Sequence, residues 1–281
     1  MGFDTHRPII FSFAEQITKS FGLLPGFLFF AIQAPAAELA HYFDFETGFD
    51  DLTGGTNGTA GTEVETTAGF DGGNAAFFRS ELSSPPFDDR GHLALTPPIA
   101  DLSGEFSFSY WVRLNSDPST NARGIFDFSG DGGDGPQSLY IQSGAQAGRL
   151  AFRVDGAGTS NLVAFSDVPE DGSWFSVIAN FDPAGQLEVY INGTLQGTAS
   201  GAFTSAPWSA DQYLGAFNVN GIAAPRGVDG DLDDFAVYEG LLSSAEIAGL
   251  SSGTLSPTSI PEPSSALLAL LGLGLLRRKR S

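Results

Sequence analysis

The densest run of possible metal ligands in the chain is Asp229-Gly230-Asp231-Leu232-Asp233-Asp234. Carboxylate oxygens gathered in this way are hard ligands of the kind a Ca²⁺ ion takes. An EF-hand loop would need glycine at its sixth position and glutamate at its twelfth. Asp234 and Gly240 stand there instead, so the EF-hand reading fails. A second run, Gly130-Asp131-Gly132-Gly133-Asp134-Gly135, satisfies G-x-G-x-x-G in form. A dinucleotide site requires a strand before this motif and a helix opening within it, so that amides meet the pyrophosphate. Here Pro136 and the strand-like Ser138–Gln142 follow, and two carboxylates would repel phosphate. The run reads as an acidic hairpin loop, favoured over a cation held by Asp127, Asp131 and Asp134. Nucleophilic chemistry is poorly supplied. Cysteine is absent, no Gly-x-Ser-x-Gly elbow occurs, and His41 and His92 are isolated. Trp208, between Ser and Asp neighbours in the loop 204–211, is the candidate to stack on a sugar ring, with packing beneath its loop as the plainer role.

The elements that must position these residues are strands. Glu105–Arg113 alternates, with Phe106, Phe108, Tyr110 and Val112 on one face and Ser107 and Ser109 on the other. Similar runs cover Ser138–Gln142, Arg149–Val154, Asn161–Phe165 and Trp174–Phe181. Gln186–Ile191 and Thr194–Thr198 flank Asn192-Gly193, a pair that tolerates positive φ and suits a type I′ hairpin. One helix is predicted: Ser243-Ser244-Ala245-Glu246 is a capping box that opens a short helix through Leu250. Short alternating runs between glycine-rich turns predict an all-β antiparallel sandwich with this one short helix.

Both ends of the chain carry targeting signals. Ser20–Ile32 is an apolar core preceded by Lys19 and followed by Ala34-Pro35-Ala36-Ala37, a small-x-small cleavage pattern, so residues 1–37 read as a leader and signal peptide. At the other end, Pro261-Glu262-Pro263 precedes an apolar run from Ser265 to Leu276 and then Arg277-Arg278-Lys279-Arg280. Leucines surround that run and leave no polar face, and the four cations hold its end on the cytoplasmic side. It reads as a short transmembrane sorting helix. The order of the three parts resembles the PEP-CTERM tail of Gram-negative bacteria, which implies an exosortase as processing partner, transient insertion in the inner membrane, and release to the cell surface or an extracellular matrix. The expected organisation is 1–37 leader, 38–250 a single sandwich domain, 251–260 a polar linker and 261–281 the sorting signal.

The chain has a formal net charge of −20, and no lysine occurs between Lys19 and Lys279. Such a surface repels phosphate backbones and argues against nucleic acid. Without cysteine there is no disulfide scaffold, so stability must come from core burial or a bound ion.

Four segments of the middle region resemble, in order, the laminin-G-like jelly rolls of the concanavalin A-like lectin/glucanase superfamily. They are Tyr42-Phe43-Asp44-Phe45-Glu46 with Asp51-Leu52-Thr53-Gly54-Gly55; Phe106–Val112; Trp174–Val177 through Leu187–Gly193; and Gly230–Tyr238 with Leu242 and Glu246-Ile247. The resemblance implies a jelly roll, with Trp111 and Trp174 in core positions. It also implies that the first and last strands lie close enough to share a structural calcium, held by Asp44, Asp51 and Asp234. The superfamily includes retaining glycosidases, which need two carboxylates about 5 Å apart. Their Glu-x-Asp-x-(x)-Glu strand motif is absent here, and Asp233 and Asp234 should point to opposite faces. The expected function is therefore a non-enzymatic, exported module that binds an extracellular polysaccharide or a matrix protein. The alternatives are a glycan hydrolase and a purely structural matrix component.

Overall fold

The computed structural model describes residues 37–79, 91–115, 122–129, 135–141, 144–158, 160–169, 172–219, 222–224 and 227–260. Its strands are β1 (Glu38–Phe43), β2 (Asn57–Ala60), β3 (Val64–Ala68), β4 (Asn74–Phe78), β5 (Leu93–Thr96), β6 (Phe106–Leu114), β7 (Arg123–Asp127), β8 (Gly135–Ile141) and β9 (Arg149–Asp155). They continue with β10 (Asn161–Asp167), β11 (Trp174–Asp182), β12 (Gln186–Ile191), β13 (Thr194–Ser200), β14 (Tyr213–Leu214), β15 (Phe217–Val219), β16 (Ile222–Ala224) and β17 (Gly230–Glu239), followed by helix α1 (Ser244–Ser251). The leader up to residue 36 and the sorting tail, 261–281, lie outside the described residues.

Two antiparallel sheets face each other. One runs β13-β12-β11-β6-β17-β4-β3, with β1 also on β17; the other runs β10-β9-β8-β7-β14-β5-β2. Period-two patterning explains the packing: Phe106, Phe108, Tyr110, Val112 and Leu114 of β6 enter the core between the sheets, where Phe126, Phe128, Phe152 and Phe235 meet them. The alternate residues of β6 and β11 face outward. Trp111 lies on that outer side, stacked on Phe70 with ring centroids 3.3 Å apart, and Trp174 is half-buried beneath the Arg113 guanidinium. The expectation that both tryptophans fill the inter-sheet core is thereby corrected. Tyr110 and Val112 point inward, so strand geometry turns Trp111 between them the other way.

The hairpin and the helix form as their residues dictate. Asn192 and Gly193 both have positive φ, 49° and 75°, and Ser243 caps α1 through a reciprocal capping box with Glu246. Residues 251–260 are not a linker. They fold over the outer face of the eight-stranded sheet, and Ile260 joins Tyr42, Ile178, Tyr238 and Leu250 in a second apolar cluster. Leu255 rests against Gly249, where an added Cβ would lie 2.3 Å from the leucine Cδ1. The segment's few apolar residues suffice to dock it.

Candidate functional site

Strand β17 sits mid-sheet and changes neighbours along one edge. Its first residues pair with β4 (Asp231↔Phe77) and its last with β1 (Phe43↔Phe235). The switch falls at a bulge between Asp233 and Ala236, where Asp234 takes φ 50°. The bulge cancels the alternation that would separate neighbouring acids. Asp233 faces outward beside Trp111, accepting from the Phe70 amide at 2.8 Å and the Asp234 amide at 2.9 Å. Asp234 lines the same side, in a small cavity of about 90 Å³ with Ser109, Trp111 and Ser176. Opposite faces for this pair, as simple alternation predicts, are not what the chain adopts.

The pairing of β1 with β17 brings Asp44, one residue beyond β1, to the level of Asp234. Tyr42 donates its hydroxyl to Asp234 at 2.5 Å, and burial followed by that bond pushes the phenol above its ordinary range. Burial raises the Asp234 carboxyl, the Tyr42 hydroxyl opposes the rise, and Asp71, Asp44 and Glu46 add to it. Asp233 is pushed up to about 7, chiefly by burial, with Asp234 and Asp71 contributing against the Phe70 amide. The corner thus holds three acids beyond the expected set: Glu46, Asp71 and Asp233. Two of them look like ordinary turn residues in the sequence and behave so, since Asp71 accepts from the Gly73 amide and Glu46 braces Asn74.

Asp51 belongs to a different structure. Its Oδ1 accepts from the amides of Tyr42 and Thr53 at 2.9 Å and from the Thr53 hydroxyl at 3.0 Å. Its Oδ2 accepts from the Gly54 amide at 2.9 Å and lies 2.6 Å from His41 Nδ1. Burial alone would raise this carboxyl; the His41 bond and the Tyr42, Thr53 and Gly54 amides override it and hold the group well below the usual carboxylate range. Gly54 is required here, because a Cβ would lie 2.1 Å from His41 Nδ1. With its oxygens engaged in the turn, Asp51 has none to offer an ion. Among the described residues no group of three or more His, Cys, Asp or Glu side chains is arranged to hold a metal. The expected donor set of Asp44, Asp51 and Asp234 does not assemble: two members meet and the third holds a turn.

Trp208 takes the plainer of its two expected roles. Its ring, partly buried, packs against the edge of the core, on Phe106 at 5.3 Å, Phe108 at 6.1 Å and Phe128 at 6.0 Å. Asp127, whose possible partners Asp131 and Asp134 lie outside the described residues, is occupied by Ser129 and Asn218. Pro261, Glu262, Pro263 and the Arg277–Arg280 cations also lie outside them. No helix among the described residues is long and apolar enough to cross a membrane.

A jelly roll with β1 and β17 paired beside a bulge, a closing helix after β17, and an Asp-x-Thr-Gly turn after β1 is an arrangement that sequence comparison can test. Residues 87–248 match a family model, Laminin_G_3, described as the concanavalin A-like lectin/glucanases superfamily. The chain belongs to this superfamily. Residues 259–280 match the PEP-CTERM protein-sorting motif. Among curated proteins, none matches the sequence. Solved structures share the lectin-like fold at low identity. The botulinum neurotoxin serotype D ligand binding domain in complex with N-acetylneuraminic acid aligns with a TM-score of 0.61 and 14% identity, over 77% of this chain and 51% of that one. The botulinum neurotoxin type G receptor binding domain gives 0.58 and 14%, over 77% and 51%. The binding domain of Paraclostridial Mosquitocidal Protein 1 gives 0.60 and 14%, over 77% and 52%. The chain spans about half the length of these structures.

Proposed function

We propose that this superfamily member is an exported, non-enzymatic module that binds carbohydrate at the cell surface or in the extracellular matrix, after an exosortase has processed its C-terminal tail. The observation that carries the reading is the union, in one chain, of a lectin-type sandwich over 87–248 and a sorting motif over 259–280. Matched domains whose names record receptor or sugar binding support the carbohydrate half. The acids support the non-enzymatic half. Asp233 and Asp234 are tied to Phe70, Tyr42 and each other, and the cavity beside them, about 90 Å³, is far below the ~300 Å³ at which small-molecule sites begin.

The test has two arms. Replacing Pro261-Glu262-Pro263 with alanines is expected to strand the protein in the inner membrane; release of the variant at wild-type mass removes the sorting half. Incubation with the organism's own secreted polysaccharide is expected to retain the protein without liberating reducing sugar. Steady release of reducing ends would make it a glycan hydrolase.

A further inference from the structure

Residues 252–260 lie on the outer face of the eight-stranded sheet, and the Pro261-Glu262-Pro263 run follows Ile260 directly. Their hydrogen bonds are local. The amides of residues 252–255 turn back to carbonyls at the end of α1, and those of Ser259 and Ile260 bond within the segment. The Ser252 and Thr254 hydroxyls reach the same helix end, and the Ser259 hydroxyl reaches the Ser256 carbonyl. Among the described residues, no hydrogen bond joins 253–260 to a strand. Apolar contact seats the segment instead: Ile260 enters the cluster of Tyr42, Ile178 and Leu250, Leu255 packs against it, and Pro257 is buried. Ala37, the first described residue, belongs to the same cluster, so the chain enters and leaves the domain at one patch.

We propose that residues 252–260 are a latch on tail processing: docked, they hold the Pro261-Glu262-Pro263 motif against the domain and withhold it from the processing enzyme, and undocked, they present it. The inference rests on the sorting half of the reading above and adds a control step to it. A segment seated by a few apolar side chains, with no hydrogen bond to the sheet, can open locally while the sandwich stays folded. The local bonds it gives up belong to Ser252, Thr254, Ser256 and Ser259, all exposed, where water replaces them.

Reach decides what the latch does. The apolar run of the tail begins at Ser265, five residues beyond Ile260. A fully extended chain covers at most about 3.6 Å per residue, so with Ile260 docked the run starts within about 18 Å of the domain. A membrane-embedded enzyme must then enclose the motif in the narrow gap between sandwich and lipid. With the chain released back to Ser252, the tether lengthens to about 47 Å, and the motif can enter an active site while the domain stands clear. Only undocked chains are competent, so the rate of processing follows their fraction.

The test is a pulse–chase of the full chain in its own cells, with the conversion of precursor to released protein followed by mass. Leu255→Asp loosens the latch and leaves the motif intact; it is expected to speed conversion several-fold, with a cooperative urea transition retained. A ten-residue Gly/Ser spacer inserted between Ile260 and Pro261 gives the motif reach while the latch stays docked, and is expected to speed conversion likewise. The two changes together are expected to be no faster than either alone, because both remove one restraint. Leu162→Ala, in the core of the opposite sheet, destabilises the sandwich without touching the latch and is expected to leave the rate unaltered. An unchanged or slower rate in either the Leu255→Asp or the spacer chain overturns the latch and leaves the sorting reading standing. A further gain when the two are combined, or equal acceleration by Leu162→Ala, also overturns it. A wild-type chain that is never converted overturns both. If Leu255→Asp fails to fold, the spacer chain alone decides: an unchanged rate there overturns the latch.

Discussion

Removing the Asp51 carboxylate separates a turn residue from a metal ligand. Its two oxygens serve the Tyr42, Thr53 and Gly54 amides, the Thr53 hydroxyl and His41 Nδ1, and the side chain is fully shielded from solvent. In Asp51→Ala, water can reach the amides of the exposed residues Thr53 and Gly54, but the buried Tyr42 amide and the largely shielded His41 ring lose their acceptor. A buried, charge-assisted acceptor that leaves its partners unpaired costs about 3–5 kcal/mol. Asp51→Asn keeps the shape and one oxygen but turns an NH₂ group toward a donor, so about 2 kcal/mol is expected. Urea unfolding followed by tryptophan fluorescence reads both values. A loss below about 1 kcal/mol in the alanine variant would refute the turn argument. Chelating divalent cations is expected to leave both losses unchanged; a calcium-dependent gap between wild type and Asp51→Asn would return this side chain to an ion's coordination sphere.

Three other outcomes follow from the same geometry. The Asp233 carboxyl, pushed up to about 7 from 3.8, favours the fold when protonated, so its contribution is complete below about pH 4 and fades as pH rises to 7. Its full value is about 4 kcal/mol, and about 2 kcal/mol is expected because the corner is partly open to water. Asp51, held low, acts in the opposite sense, its contribution fading as pH falls below about 4. Urea midpoints from pH 3 to 8 should therefore peak on the acid side of neutrality in wild type and flatten between pH 5 and 8 in Asp233→Asn; a wild-type curve flat over that span would contradict the assignment. Trp111→Ala should cost about 3 kcal/mol and Trp174→Ala about 1 kcal/mol, since Phe70 covers the first while the second is half-buried; equal losses would show that both are core residues. Ile260→Asp should expose residues 252–260 to limited proteolysis while the sandwich persists, and unaltered resistance would mean that the segment does not rely on this contact.

Much of the scaffold is legible in the residues because strands, hairpins and caps are local. The alternation in Phe106–Val112, the Asn192-Gly193 turn and the Ser243–Glu246 box each depend on neighbours a few positions away, and each forms as read. The same alternation also carried the right answer for Trp111, which lies in phase with Ser107 and Ser109; resemblance to core tryptophans pointed the other way, and strand geometry prevailed. What could not be read was the bulge. Asp233 and Asp234 alternate in sequence like any strand pair, and only the change of partner from β4 to β1 explains why both carboxyls sit on one side. Asp51 was legible as part of an Asp-x-Thr-Gly turn, but not as an acceptor saturated by it.

The position of β17 has a consequence for the timing of folding. This strand lies inside the eight-stranded sheet, bonded to β6 on one side and to β4 and β1 on the other, yet it is the last strand made. A chain that emerges N-terminus first carries β1, β4 and β6 for its whole passage without the element that joins them, and their long-range contacts must wait for residue 230 and beyond. The eight-stranded sheet cannot be complete before that strand is made. Until then β1 lacks its strand partner and the β3–β4 hairpin lacks its link to β6, although the seven-stranded sheet and the β6-β11-β12-β13 run do not depend on β17. The stretch of sequence that completes the fold also brings up the tail that the sorting motif occupies.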